Sequence, residues 1–110
     1  MAGRFFDDVL QPEVWEWYRR QQASADGRTV LALLRTLVGA DLSDQLAKIS
    51  APALLMHSDS SPFVPVPVMA DLHERITNSR LKIIPGAKHG LPFSHAAECS
   101  RTFRQFLDEI

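Results

Sequence analysis

The chain has 110 residues, about the size of one small domain, so a multidomain machine is excluded and a complete α/β enzyme ordinarily needs more chain. Hydrophobic residues make up 45% and charged residues 23%, which is enough apolar side chain for a core and argues against disorder by composition. Lys and Arg number 12 against 13 Asp and Glu, so the net charge of −1 offers nucleic acid no basic stripe and implies no electrostatic partner.

The apolar stretches Val30–Leu34 and Ala51–Met56 fall far short of a membrane span. The opening Met1–Asp8 is too acidic and too short for a secretory signal, so a cytoplasmic protein without membrane contact is expected. One cysteine, Cys99, leaves no pair for an internal disulfide or a zinc site and fits a reducing compartment.

In chain order, Pro12 stands where a first-turn helix proline belongs, and Glu13 to Gln22 continues a helix until Ala23-Ser-Ala-Asp-Gly27 breaks it. Asp26 is placed to cap a second helix. Its apolar residues Val30, Leu31, Leu33, Leu34, Leu37 and Val38 predict a wide buried stripe, and Gly39 ends it. Leu42, Leu46 and Ile49 mark a short amphipathic turn before Ser50-Ala-Pro52, where proline favours extended backbone.

Ala53–His57 is a short apolar run between Pro52 and Ser58-Asp-Ser-Ser-Pro62, the pattern of a strand buried on both faces of a parallel sheet. Pro65 and Pro67 open a helix with Met69, Leu72 and Ile76 on one side, closed by Thr77-Asn-Ser79. Arg80–Ile84 is a second strand, stopped by Pro85-Gly86, and a loop holding His89 follows. Ser94 is the candidate cap of a terminal helix in which Cys99, Phe103, Phe106, Leu107 and Ile110 share a face. The alternation of strand, loop and helix after Pro52 builds parallel sheets, so the expected architecture is α/β. It comprises a helical segment, residues 1–50, and the edge of a doubly wound parallel sheet, residues 51–110.

Both polar loops follow a strand's carboxyl end, where α/β sheets hold ligands. Across this stretch the ordered set Ile49-Ser-Ala-Pro52, Ala53–His57, Asp59–Pro65, Val68–Ile76, Leu81–Ile84, Gly86-Ala-Lys-His89 and Phe106-Leu107 resembles the C-terminal part of an α/β-hydrolase. Phe5-Phe6 through Asp41 is similar, more loosely, to the helical cap of enol-lactone hydrolases and carbon-carbon bond hydrolases. The resemblance spans nearly the whole chain but only the back portion of such an enzyme, and it implies hydrolysis of an ester, lactone or carbon-carbon bond without a cofactor.

The family's triad runs in the order Ser, acid, His, with the nucleophile on a G-x-S-x-G elbow. These 110 residues contain no such elbow, and in the G-x-x-x-G from Gly86 to Gly90 Lys88 stands at its centre. His89 matches the family's histidine, whose implied role is general base and then general acid; its other reading is a loop histidine bonded to backbone. The family's carboxylate sits about four residues before the loop's closing proline, a position that Ser61 occupies here, 28 residues ahead of His89. Asp59 is the nearest carboxylate. It is a candidate orienting acid for His89, or else it satisfies backbone donors in a tight turn.

Other residues carry weaker signals. His57, His73 and His95 with Asp71 lack an H-E-x-x-H or comparable metal spacing. Trp15, Trp17 and Tyr18 read either as walls of a substrate pocket or as packing anchors, and Leu91-Pro-Phe93 likewise. Cys99 on an apolar helix face reads as an inert thiol. A two-strand remnant leaves a strand edge and an apolar face uncovered, so a homo-oligomer, most simply a dimer, or a complementary chain is expected.

Overall fold

The computed structural model describes residues 11–110; the expectations for Met1–Asp8 and Phe5-Phe6 lie outside them. The chain divides into two compact units, Gln11–Asp44 and Gln45–Ile110, so the division falls within the 3-10 turn Ser43–Lys48.

The first unit holds helices α1, Pro12–Ala23, and α2, Gly27–Gly39. Proline's fixed φ presets the first turn of α1, and Trp15 N–H donates to the Gln11 carbonyl at 3.0 Å. Trp15 and Tyr18, three positions apart, stack with their centroids 6.2 Å apart. Asp26 caps α2 as its position predicts: one carboxylate oxygen accepts from Thr29 N–H at 3.2 Å and from Thr29 Oγ at 3.0 Å. The apolar stripe of α2 is present but it is not buried. Leu33, Leu37 and Val38 are 65%, 70% and 86% exposed, and no residue of either helix is buried. A helix buries its stripe only against another element, and within the first unit α1 leaves these side chains exposed.

In the second unit, strands β1, Ala53–Ser58, and β2, Ser79–Ile84, pair in parallel with Ala53 opposite Ser79 and Ser58 opposite Ile84. Helix α3, Val66–Arg75, makes the crossover that parallel pairing requires. Pro65 precedes it and Pro67 lies in its first turn, where an amide N–H has no helical partner to lose. Met69 and Leu72 are half-buried and Ile76 is buried, so the predicted apolar side of α3 does turn inward. The strands are less covered than expected. Ala53 to Met56 are only half-buried, because among the described residues the sheet has two strands and its outer edges are open.

The core lies at the carboxyl ends of the strands, where Ile84, Ala87 and Leu91 cluster with Met56 and Cys99 packed against them. Leu91–Ser94 forms a short helical turn, α4, and the terminal helix α5 spans Ala96–Asp108. Ser94 does not cap α5. His95 occupies that position without a side-chain cap, because Ser94 already belongs to α4 and its hydroxyl is engaged by the Gly90 carbonyl and His95 Nδ1. On α5 only Phe106 is buried, with the Arg80 guanidinium over its ring at 5.7 Å, while Phe103, Leu107 and Ile110 of the same face are exposed.

Candidate functional site

The two polar loops meet beyond the carboxyl ends of β1 and β2. Backbone bonds carry the pairing past the strands: Asp59 N–H donates to the Ile84 carbonyl and Ser60 N–H to the Ala87 carbonyl, each at 3.2 Å. The Asp59 carboxylate ties the same loops together, accepting from Gly86 N–H at 2.9 Å and from Ser60 Oγ at 2.8 Å. These two donors, the Ser60 hydroxyl first, hold its carboxyl below the ordinary range. Gly86 has φ +71°, a left-handed conformation that costs glycine little, so Pro85-Gly86 turns the chain back sharply toward Asp59.

This cross-tie sets Ser61 beside His89. Ser61 Oγ lies 3.1 Å from His89 Nδ1 and also accepts the backbone N–H groups of Phe63 and Val64, each at 3.3 Å. Phe63 presents an edge-to-face contact to the half-buried imidazole, centroid to centroid 5.0 Å. One turn of loop further on, the Val64 carbonyl accepts from Nε2 of the buried His57 at 2.9 Å. The residue that meets His89 is therefore Ser61, while Asp59 is turned to the Gly86 backbone.

Of the remaining candidates, Trp15, Trp17 and Tyr18 lie on α1 in the first unit and the others are spread through the second. His73 Nδ1 is 2.8 Å from Ser79 Oγ, His95 Nδ1 is 2.8 Å from Ser94 Oγ, and Asp71 pairs with Arg75 at 2.8 Å. No group of three or more His, Cys, Asp or Glu side chains able to hold a metal is found among the described residues. The Cys99 thiol points to the Leu91 carbonyl, and burial, helped by the Glu98 charge, pushes its pKa up, away from the reactive thiolate. Leu91 belongs to the core and Phe93 is exposed. The His57–Val64 bond and the Phe63 ring contact have no signal in the sequence, whereas the Asp59–Gly86 tie is the alternative in which Asp59 satisfies backbone donors, with Gly86 as the donor. The Pro85-Gly86 pair, a turn signal after a strand, was the available pointer to the last.

No protein-family profile matches the chain. It is 26% identical over 102 residues to a non-heme haloperoxidase of Rhodococcus erythropolis, covering 92% of this chain and 37% of that protein. It is 28% identical over 105 residues to a bifunctional esterase/perhydrolase of Acinetobacter calcoaceticus, covering 90% of this chain and 36% of that protein. Among solved structures, a bromoperoxidase of Bacillus anthracis superposes with a TM-score of 0.89 at 27% identity, over 97% of this chain and 41% of that one. The chain is a relative of the α/β-hydrolases. It spans about two fifths of the length of these relatives, and its two parallel strands with their helices are a partial α/β-hydrolase fold. Among the described residues of this α/β-hydrolase relative no helix is long and apolar enough to cross a membrane.

Proposed function

We propose that this chain supplies the histidine-bearing, C-terminal side of a hydrolase site that cleaves an ester, with lactones and carbon-carbon bonds as the wider substrate range. The observation that carries the reading is the approach of Ser61 Oγ to His89 Nδ1, 3.1 Å apart, which joins the family's acid-position loop to its histidine loop beyond two adjacent parallel strands. The esterase/perhydrolase among the relatives supports the choice of ester chemistry. His89 is the general base. It takes the proton of a nucleophile as the new oxygen–carbon bond forms, and returns it to the leaving alkoxide as the old bond breaks. The nucleophile belongs on a G-x-S-x-G elbow, which these residues do not contain, so it comes from another segment or chain. Asp59 acts as a positioning residue, tying the loops through Gly86 so that the residue at the acid position reaches the base. No cofactor takes part, and the lone Cys99 favours a reducing, cytoplasmic setting.

The test begins with the coding DNA upstream of the Met1 codon. An in-frame G-x-S-x-G segment is expected, and the polypeptide containing it should hydrolyse p-nitrophenyl acetate. His89→Gln in that polypeptide should lower kcat by at least about a thousandfold. An unchanged rate in that variant overturns the assignment.

The exposed apolar face of α2 favours a second reading, a non-catalytic interaction module that pairs with a second copy or with a complementary chain. A stop codon just upstream, with no elbow in the neighbouring frame, supports it. A monodisperse monomer at micromolar concentration in light scattering counts against it.

A further inference from the structure

We infer that Ser61 holds neutral His89 in the tautomer with its proton on Nε2, the resting form from which the imidazole cannot act as the base toward a nucleophile. The inference rests on the reading of His89 as a hydrolase base and adds to it a residue that controls when the base is available.

A serine hydroxyl has one proton to donate and two lone pairs to accept with. Both lone pairs of Ser61 Oγ are taken up by the backbone N–H groups of Phe63 and Val64. The contact to His89 Nδ1 is left to the hydroxyl proton, so Ser61 donates and Nδ1 accepts. A neutral imidazole that accepts at one nitrogen carries its proton on the other, which puts the hydrogen on Nε2. In a Ser-His-acid triad the arrangement is the reverse: the acid can only accept, Nδ1 carries the proton, and Nε2 offers the lone pair that takes the nucleophile's proton. Before His89 can serve as that base its ring proton must leave Nε2 and another must arrive on Nδ1, displacing the Ser61 hydroxyl. The loop fixes the donor in place, because the two backbone bonds to Oγ come from the turn that places Ser61 beside the ring.

The experiment is nitrogen-15 NMR of the histidine rings in the 110-residue chain at alkaline pH, where imidazole is neutral. The His89→Gln spectrum assigns the His89 signals among those of His57, His73 and His95. The expected wild-type result is a protonated Nε2 and a bare Nδ1. A protonated Nδ1, or an even mixture of the two forms, overturns the inference. Ser61→Asp should invert the pattern to a protonated Nδ1; retention of the wild-type pattern in that folded variant also overturns the control by Ser61. If Ser61→Asp does not give the amide dispersion of a folded chain, Ser61→Ala replaces it. With the donor gone the rings should exchange between tautomers, and an unchanged single form counts against Ser61. In the polypeptide that carries the elbow, Ser61→Asp should raise kcat for p-nitrophenyl acetate, on the order of a hundredfold or more, given the roughly ten-thousandfold loss that a wrong tautomer causes in a serine protease triad. If His89→Gln leaves ester hydrolysis intact, the base assignment fails while the tautomer, read by NMR, is judged separately.

Discussion

Asp59 and Ser58, neighbours at the end of β1, put opposite demands on the fold. The Asp59 carboxylate is held by the Ser60 hydroxyl and the Gly86 N–H, and its pKa is lowered by them. A folded pKa below the unfolded one means that the stabilisation is complete above the unfolded value and fades as pH falls through the folded value. Thermal melts at decreasing pH should therefore show a decline below the usual carboxylate range, and Asp59→Asn should flatten that decline while lowering stability at neutral pH. Ser58, in contrast, is 1% exposed, and its hydroxyl has no hydrogen-bond partner among the described residues. A buried hydroxyl without a partner costs about 1 kcal/mol or more, so Ser58→Ala should raise the unfolding free energy by about 1 kcal/mol in urea titrations. An equal or lower midpoint in the variant contradicts this account of Ser58.

At the scale of elements, β2 is what the second unit is built around. Ile84 at its end is fully buried and joins the strand to Ala87 and Leu91, while its carbonyl accepts from Asp59 N–H. Removing that side chain takes away transfer free energy and leaves a cavity, so Ile84→Ala should cost about 3 kcal/mol, read as a fall in urea midpoint. For α1, α2, α3 and the two strands, capping, proline placement and period made each element legible in sequence. The start of α5 was not legible, because a serine ahead of an apolar run looks like a cap whether or not a preceding turn has already used it. Ser94 is used by α4, and sequence does not record that choice.

At the scale of the molecule, the proposed interaction module turns on the apolar face of α2. Leu33, Leu37 and Val38 of α2 are all more than half exposed, and exposed apolar side chains grouped on one helix face are what an interaction surface offers. On the reading that this face pairs, Leu37→Glu together with Val38→Glu should lower the mass seen by sedimentation equilibrium to that of one chain. An unchanged mass in a folded double variant moves the contact elsewhere.

The sequence by itself determined the order and type of the elements and the two loops in which chemistry is sought, since hydrophobic period, prolines and turn residues act over a few positions. The resemblance to α/β-hydrolases, legible in the same residues, implies an acid position at Ser61 and the triad histidine at His89. The tertiary structure alone decided which neighbour each group received. Parallel pairing set β1 and β2 side by side, Gly86 turned back to bind Asp59, and Ser61 was left to meet His89 Nδ1. A hydrogen bond across 28 residues depends on strand register and on a loop's φ angles, quantities that no local pattern in the sequence encodes. The exposure of the α2 stripe is of the same kind, because an apolar period states what a helix can cover and not what covers it.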